Sequence, residues 1–277
     1  MRRSWRKAVL GVLFFGASSV ALLFLVLPVV AIFLRVPPSR LLHQLSTPVV
    51  TDALVVSFKT TAIAQALILL FGTPLAYLVA SRRFRGRTLV VTLIELPLVL
   101  PPAVAGLGLL AAFGRVGLLG STFDALGIHI SFTQTAVVMA VAFVASPLYI
   151  RTAIVAFEAV DPDLVAASRT LGVGPTRTFF RVVLPLAANG LAAGEALAFA
   201  RGLGEFGATI MFAGSLQGVT QTLPLAIYAE FSVSFDIALA LGALLVAISA
   251  GLLLTLRLIL SWRPSPRISP SLFAPTT

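Results

Sequence analysis

The sequence predicts an all-α membrane protein, a single domain over residues 1–277 with six transmembrane helices, and three observations predict it. First, 58% of the 277 residues are hydrophobic and only 11% are charged, against about 25% charged in typical soluble chains. With a mean hydropathy of +1.04, such a chain cannot cover itself with polar groups, so its solvent is largely lipid. Second, six segments approach the length of about 20 apolar residues that a helix needs to cross the hydrocarbon core. They run roughly over 8–34, 54–80, 89–113, 133–150, 182–212 and 237–260. Third, the basic residues gather at the ends of these runs, mostly on one side.

The net charge of +10 does not mark a nucleic-acid binder, because the basic residues follow the span ends and not one face. With no cysteine, disulfides and thiolate metal sites are excluded. His43 and His129 fall in short loops without partner ligands, so no metal site is expected.

Span 1 follows the basic stretch "MRRSWRK". Its apolar run exceeds the about 7–15 residues of a signal-peptide core, and no small-residue cleavage site follows, so it reads as a retained anchor. Span 2 carries Gly72 and Pro74 near one end, which predicts a kink. Span 3 contains "ELPLVLPPAVAGLGLL" (95–110), with Pro97, Pro101 and Pro102. Each proline removes an amide donor and blocks regular helix. Interrupted helix at membrane depth is tolerated where protein or a water-filled cavity surrounds it. Pro101 and Pro102 therefore mark either a packing kink or the wall of a translocation pathway.

Span 5 reads "GEALAFARGLGEFGATIMFAG" (194–214) and holds Glu195, Arg201 and Glu205. An ionisable group at mid-membrane costs at least ~2.5 kcal/mol, so these groups need partners. Arg201 and Glu205, four apart, share a helix face and are expected to pair. The pair, with Thr209 beyond it, reads either as a packing device or as part of a gate. After span 5 a short helix is expected over 222–230. Thr220, Gln221 and Thr222 before it either cap that helix or offer neutral hydrogen-bonding groups to an anion. No nucleophile–base–orienter arrangement is visible, so catalysis is not expected.

Counting Lys and Arg sets the orientation. One side holds Arg2, Arg3, Arg6, Lys7, Arg82, Arg83, Arg85, Arg87, Arg151, Arg169, Arg177, Arg181, Arg257, Arg263 and Arg267. The other holds Arg35, Arg40, Arg115 and Lys59. Both termini are expected in the cytoplasm, as is the segment 157–181 between spans 4 and 5. In that segment Asp161 and Pro162 give a helix start, Asp163 to Leu171 a short helix, and Gly172, Gly174 and Pro175 its end. A helix so short is marginal alone and needs something to dock into.

Here the residues resemble a family signature. The inner-membrane subunits of ABC importers carry a cytoplasmic "EAA" loop: Glu-Ala-Ala, three residues, Gly, nine residues, Ile, one residue, Leu-Pro. In this chain the register falls on Ala166, Ala167, Ser168, Gly172, Val182, Leu184 and Pro185. The spacing matches throughout, but Ala166 stands in place of the glutamate and Ser168 in place of the second alanine. Whether Glu158, Asp161 or Asp163 substitutes for that carboxylate is left open by the sequence. The stretches "SFKTTAIAQALILLFGTPLAYLVASRRFRGR" (57–87), "ELPLVLPPAVAGLGLL" and "GLGEFGATIMFAGSLQGVTQTLPLAIYAEF" (202–231) are similar to the molybdate/tungstate importer permeases, and less so to sulfate permeases.

The resemblance implies a type I ABC importer permease fold. It also implies a coupling helix contacting the ATPase through Asp163, Ala166, Ala167, Ser168, Arg169, Leu171, Gly172, Val182, Leu184 and Pro185. Further implied are a second copy of the chain, two ATPase subunits inside carrying ATP and Mg, an oxyanion-binding protein outside, and no cofactor on this chain. The substrate implied is a tetrahedral oxyanion: molybdate or tungstate, with sulfate or thiosulfate as the alternative. No G-x-x-x-x-G-K-[ST] motif is present, and the only lysines are Lys7 and Lys59. The chain therefore borrows its ATPase or, in a competing class, uses an ion gradient as a secondary carrier.

Overall fold

The computed structural model describes residues 2–36 and 46–261. His43, Arg40, Arg263 and Arg267 lie outside them. Every regular element among the described residues is helical.

α1 (Arg2–Arg35) is the first span. Span 2 starts earlier than expected, with α2 (Pro48–Leu67), passes through a π-helical turn at Ile68–Gly72, and ends in α3 (Thr73–Ser81). The kink expected at Gly72 and Pro74 is thus a widened turn. The ring of a proline collides with the carbonyl four residues before it. For Pro74 that residue is Leu70, inside the π turn. A second π turn, Phe179–Val183, stands in the same relation to Pro185 and Arg181. Pro97 and Pro147 sit inside helices without such a turn.

Span 3 departs most from expectation. It is two helices, α4 (Arg87–Val99) and α5 (Pro102–Phe113), bent by 113°. Leu100 and Pro101 each precede a proline, and a residue in that position is pushed out of the α region. Both are extended, with ψ 133°. Two consecutive extended residues convert a span into a corner.

A short α6 (Gly120–Ala125) leads to α7 (Gln134–Glu158), which continues eight residues past the expected end at Ile150. Its start is capped by Thr133, whose hydroxyl accepts from the Ala136 amide at 3.4 Å. α7 is the axis of the bundle, with Ala136, Val137, Ala140, Val141, Ala145 and Ala153 buried. α8 (Pro162–Thr170) and α9 (Pro175–Thr178) form the loop between spans 4 and 5.

Span 5 proper is α10 (Leu184–Leu203). A Cβ at Gly190 would stand 2.5 Å from the Ala156 Cβ, and one at Gly194 2.9 Å from the Thr152 Cβ. Small residues at this four-residue spacing let α10 lie directly on α7. The helix does not run on to residue 212 as expected. It stops at Leu203 and restarts as α11 (Gly207–Ala213). α12 (Leu223–Phe231) and the last span, α13 (Phe235–Ser261), complete the chain.

Two ion pairs hold α4 antiparallel to α7. Arg87 pairs with Glu158, and the Arg151 Nε lies 3.3 Å from the Glu95 Oε1. Arg87 also donates to the Val79 carbonyl at 3.0 Å. The end of α3, the start of α4 and the end of α7 are thereby tied together.

Candidate functional site

Two regions gather the residues singled out in the sequence. The first is α8. Asp161 caps it, its carboxylate accepting from the Asp163 amide at 2.9 Å, and Pro162 occupies the first turn. At the other end the Gly172 amide donates to the Arg169 carbonyl (3.0 Å) and the Val173 amide to the Ser168 carbonyl (3.2 Å). That pair of bonds is the Schellman arrangement, which requires a left-handed residue at the glycine position. Gly172 has φ +77°.

The inner side of α8 is pinned by Ser168, which is buried and shares a 3.0 Å hydrogen bond with Thr178. Its other side is bare. Asp163 and Ala167 are exposed there, as is Leu171 just beyond the helix at 82%, whereas Ala166 and Arg169, also exposed, border a cleft toward the end of α3. Serine in place of the signature's second alanine therefore anchors the helix to its own chain. Glu158 is engaged by Arg87 and Asp161 by the helix start, which leaves Asp163 as the carboxylate presented on the open first turn. Val182 and Leu184 are half-buried and Pro185 is exposed, on the π turn and the start of α10. The signature residues thus fall on two elements, with only the first half on the protruding one.

The second region is the break in span 5. The Arg201 guanidinium approaches Glu205 at 2.7 Å, as the spacing suggested. The two do not share a helix face, however, because Glu205 lies beyond the end of α10. Its other carboxylate oxygen accepts from the Ala208 amide at 2.7 Å, so it also caps α11. Thr209 is fully buried and its hydroxyl has no hydrogen-bond partner. Pro102 meets this region directly: a Cβ at Gly207 would lie 2.6 Å from the Pro102 Cβ, and one at Gly106 2.5 Å from the Ala208 carbonyl oxygen. The two broken spans are thus in backbone contact, α5 on α11. Pro101 stays exposed at the corner.

Thr220, Gln221 and Thr222 do not join Arg201 and Glu205 through any hydrogen bond among the described residues, nor do they cap α12 with their side chains. The Thr220 hydroxyl accepts from the Leu216 amide (3.0 Å) and Gln221 donates to Ser215 (3.3 Å). Thr222 occupies the N-cap position without a side-chain bond, and the cap comes from α2, where the Ser57 hydroxyl accepts from the Leu223 amide at 2.7 Å. Sequence reasoning missed Ser57, and with it a buried polar stripe on α2: Ser57, Thr60, Thr61 and Gln65. Both polar atoms of Gln65 lack partners, and a Cβ at Gly202 would lie 3.3 Å from its Nε2. The signal was present as polar residues at helical spacing within an apolar span.

The comparisons with known proteins agree with this architecture. Residues 72–262 match the family described as binding-protein-dependent transport system inner membrane component. The chain is 45% identical over 229 residues to the molybdenum transport system permease protein ModB of Mycobacterium tuberculosis, covering 83% of this chain and 87% of that one. It is 34% identical over 258 residues to the probable transport system permease protein NifC of Clostridium pasteurianum, covering 93% and 90%. Among solved structures, a bacterial alginate ABC transporter in complex with its alginate pentasaccharide-bound periplasmic protein superimposes with a TM-score of 0.71 at 16% identity, over 92% of this chain and 94% of that one. That likeness carries the fold, the type I ABC importer permease. With its multiple apolar helices, its broken third span and its match over most of its length, the chain belongs to the binding-protein-dependent transport system inner membrane components.

Proposed function

We propose that this chain is the membrane-spanning subunit of an ATP-driven importer that moves a tetrahedral oxyanion, molybdate or tungstate, into the cytoplasm. The observation that carries the coupling role is the bare outer face of α8, a short helix anchored at Ser168 and open at Asp163, Ala167 and, just beyond its end, Leu171. A helix of nine residues does not hold itself, and its free side is where a nucleotide-hydrolysing subunit docks. The relatives named for molybdenum transport support molybdate over sulfate, and family membership weighs against an ion-gradient carrier. The working assembly is two copies of this chain, two ATPase subunits that hold ATP and Mg, and an external binding protein. The single domain spans residues 1–277 with both termini in the cytoplasm, and the chain itself holds no cofactor and performs no catalysis.

Arg201, Glu205, Thr209 and the Pro101–Pro102 corner form the hinge region of the gate, with Thr220, Gln221 and Thr222 on its outer side. The test is ATP-dependent molybdate uptake in vesicles containing the full assembly. Proline cannot adopt the φ of +77° at Gly172. Gly172→Pro is therefore expected to insert normally yet abolish uptake, and unimpaired uptake in that variant would remove the coupling role from α8. Sulfate competing as well as molybdate in the same vesicles would reassign the substrate.

A further inference from the structure

A cleft of about 900 Å³ opens where the end of α3, the start of α4 and α8 come together. Four arginines line it, Arg82, Arg83, Arg87 and Arg169, against one carboxylate, Glu158. Arg87 is occupied by that carboxylate and by the Val79 carbonyl. Arg82, Arg83 and Arg169 have no acidic partner among the described residues. These three exposed guanidinium groups outnumber the one carboxylate of the cleft, and a strongly basic recess at a span end is what an acidic headgroup recognises.

A second recess of about 560 Å³ shares Tyr77, Ser81, Arg82 and Arg169 with the first. It continues along Pro74, Leu78 and Phe179, which belong to the spans themselves. The combined site is basic at the membrane surface and apolar below it. A free phosphate would use only the upper half; an acyl chain accounts for the lower.

We propose that this cleft binds an anionic phospholipid, with Arg82 and Arg169 on its phosphate and its chain along Leu78 and Phe179. Guanidinium groups suit phosphate because their planar donors can bind two of its oxygens at once. Because α8 supplies Arg169, the lipid would brace the same helix whose outer face is bare. The assignment stands apart from the transport reading, since binding is measured without ATP or transported anion.

In the test, the full-length chain is reconstituted in phosphatidylcholine vesicles with and without phosphatidylglycerol and extracted, and its retained lipid is counted by native mass spectrometry. Wild type is expected to keep phosphatidylglycerol in preference to phosphatidylcholine. Arg82→Gln with Arg169→Gln should lower that preference about tenfold or more, whereas Arg177→Gln, exposed and outside the cleft, should leave it intact. If the double variant does not elute as a single species, Arg169→Gln alone is read the same way, with a smaller loss. Excess inorganic phosphate should not displace the lipid. Equal retention in wild type and the glutamine variants, or an equal loss in Arg177→Gln, overturns the proposal. Displacement by inorganic phosphate assigns the cleft to a free anion and also overturns it.

Discussion

A carboxylate beside Gly204, Phe206 and Ala208 within a membrane bundle is costly unless its oxygens are met. At Glu205 one oxygen takes the Ala208 amide and the other faces Arg201. The two functions are separable, because glutamine keeps an acceptor for the amide while losing the charge. Glu205→Ala is expected to lower stability by about 3 kcal/mol, measured as thermal unfolding in detergent, and Glu205→Gln by clearly less. Equal losses would mean that the ion pair, and not the cap, holds the break. Ser57 supplies the corresponding contact for α12, and Ser57→Ala should cost about 1 kcal/mol in the same measurement. Of these residues, Arg201 and Glu205 were legible from their spacing. The cap roles were not, because a helix that stops at Leu203 and a serine 166 positions from its partner leave no local trace.

The helices show the same division at larger scale. Composition and run length pointed to five helices long and apolar enough to cross a membrane and to the bent pair α4–α5, and Asp161, Pro162, Gly172 and Pro175 bracketed α8 to within a residue, because caps and turns are written locally. The corner of 113° between α4 and α5 was announced by Pro101 and Pro102, but its size depends on Gly106 and Gly207 admitting α11 to backbone contact. That contact makes a direct prediction. Gly106→Val places a side chain where even a Cβ lies 2.5 Å from the Ala208 carbonyl oxygen, so α5 must leave α11. Cross-linking between cysteines introduced in the two helices should fall sharply. The Arg87–Glu158 tie is half exposed and worth only about 0.2–1 kcal/mol in stability. Its value is positional. Glu158→Arg should slow uptake, and adding Arg87→Glu should restore it.

At the scale of the whole molecule, burial is graded from α7 outward. The window over Gln134–Glu158 is 61% buried, whereas that over Gly11–Arg35 is not buried at all, so α1 is a rim and α7 a spine. Overpacking the spine with Ala145→Leu should cost about 1–3 kcal/mol, while Leu23→Ala on the rim should change stability by less than about 0.5 kcal/mol. Protease resistance in detergent distinguishes the two. The π turns, finally, imply slack in the chain. Each lodges one residue more than an ordinary turn needs, beneath a proline that requires the room. Excising Leu70 together with Pro74→Ala should therefore leave a seamless cylinder with Thr73 still in reach of Tyr149, now 2.6 Å away, whereas excising Leu70 alone should not. In span 2, length is tunable at the one turn that has already made room for the Pro74 ring.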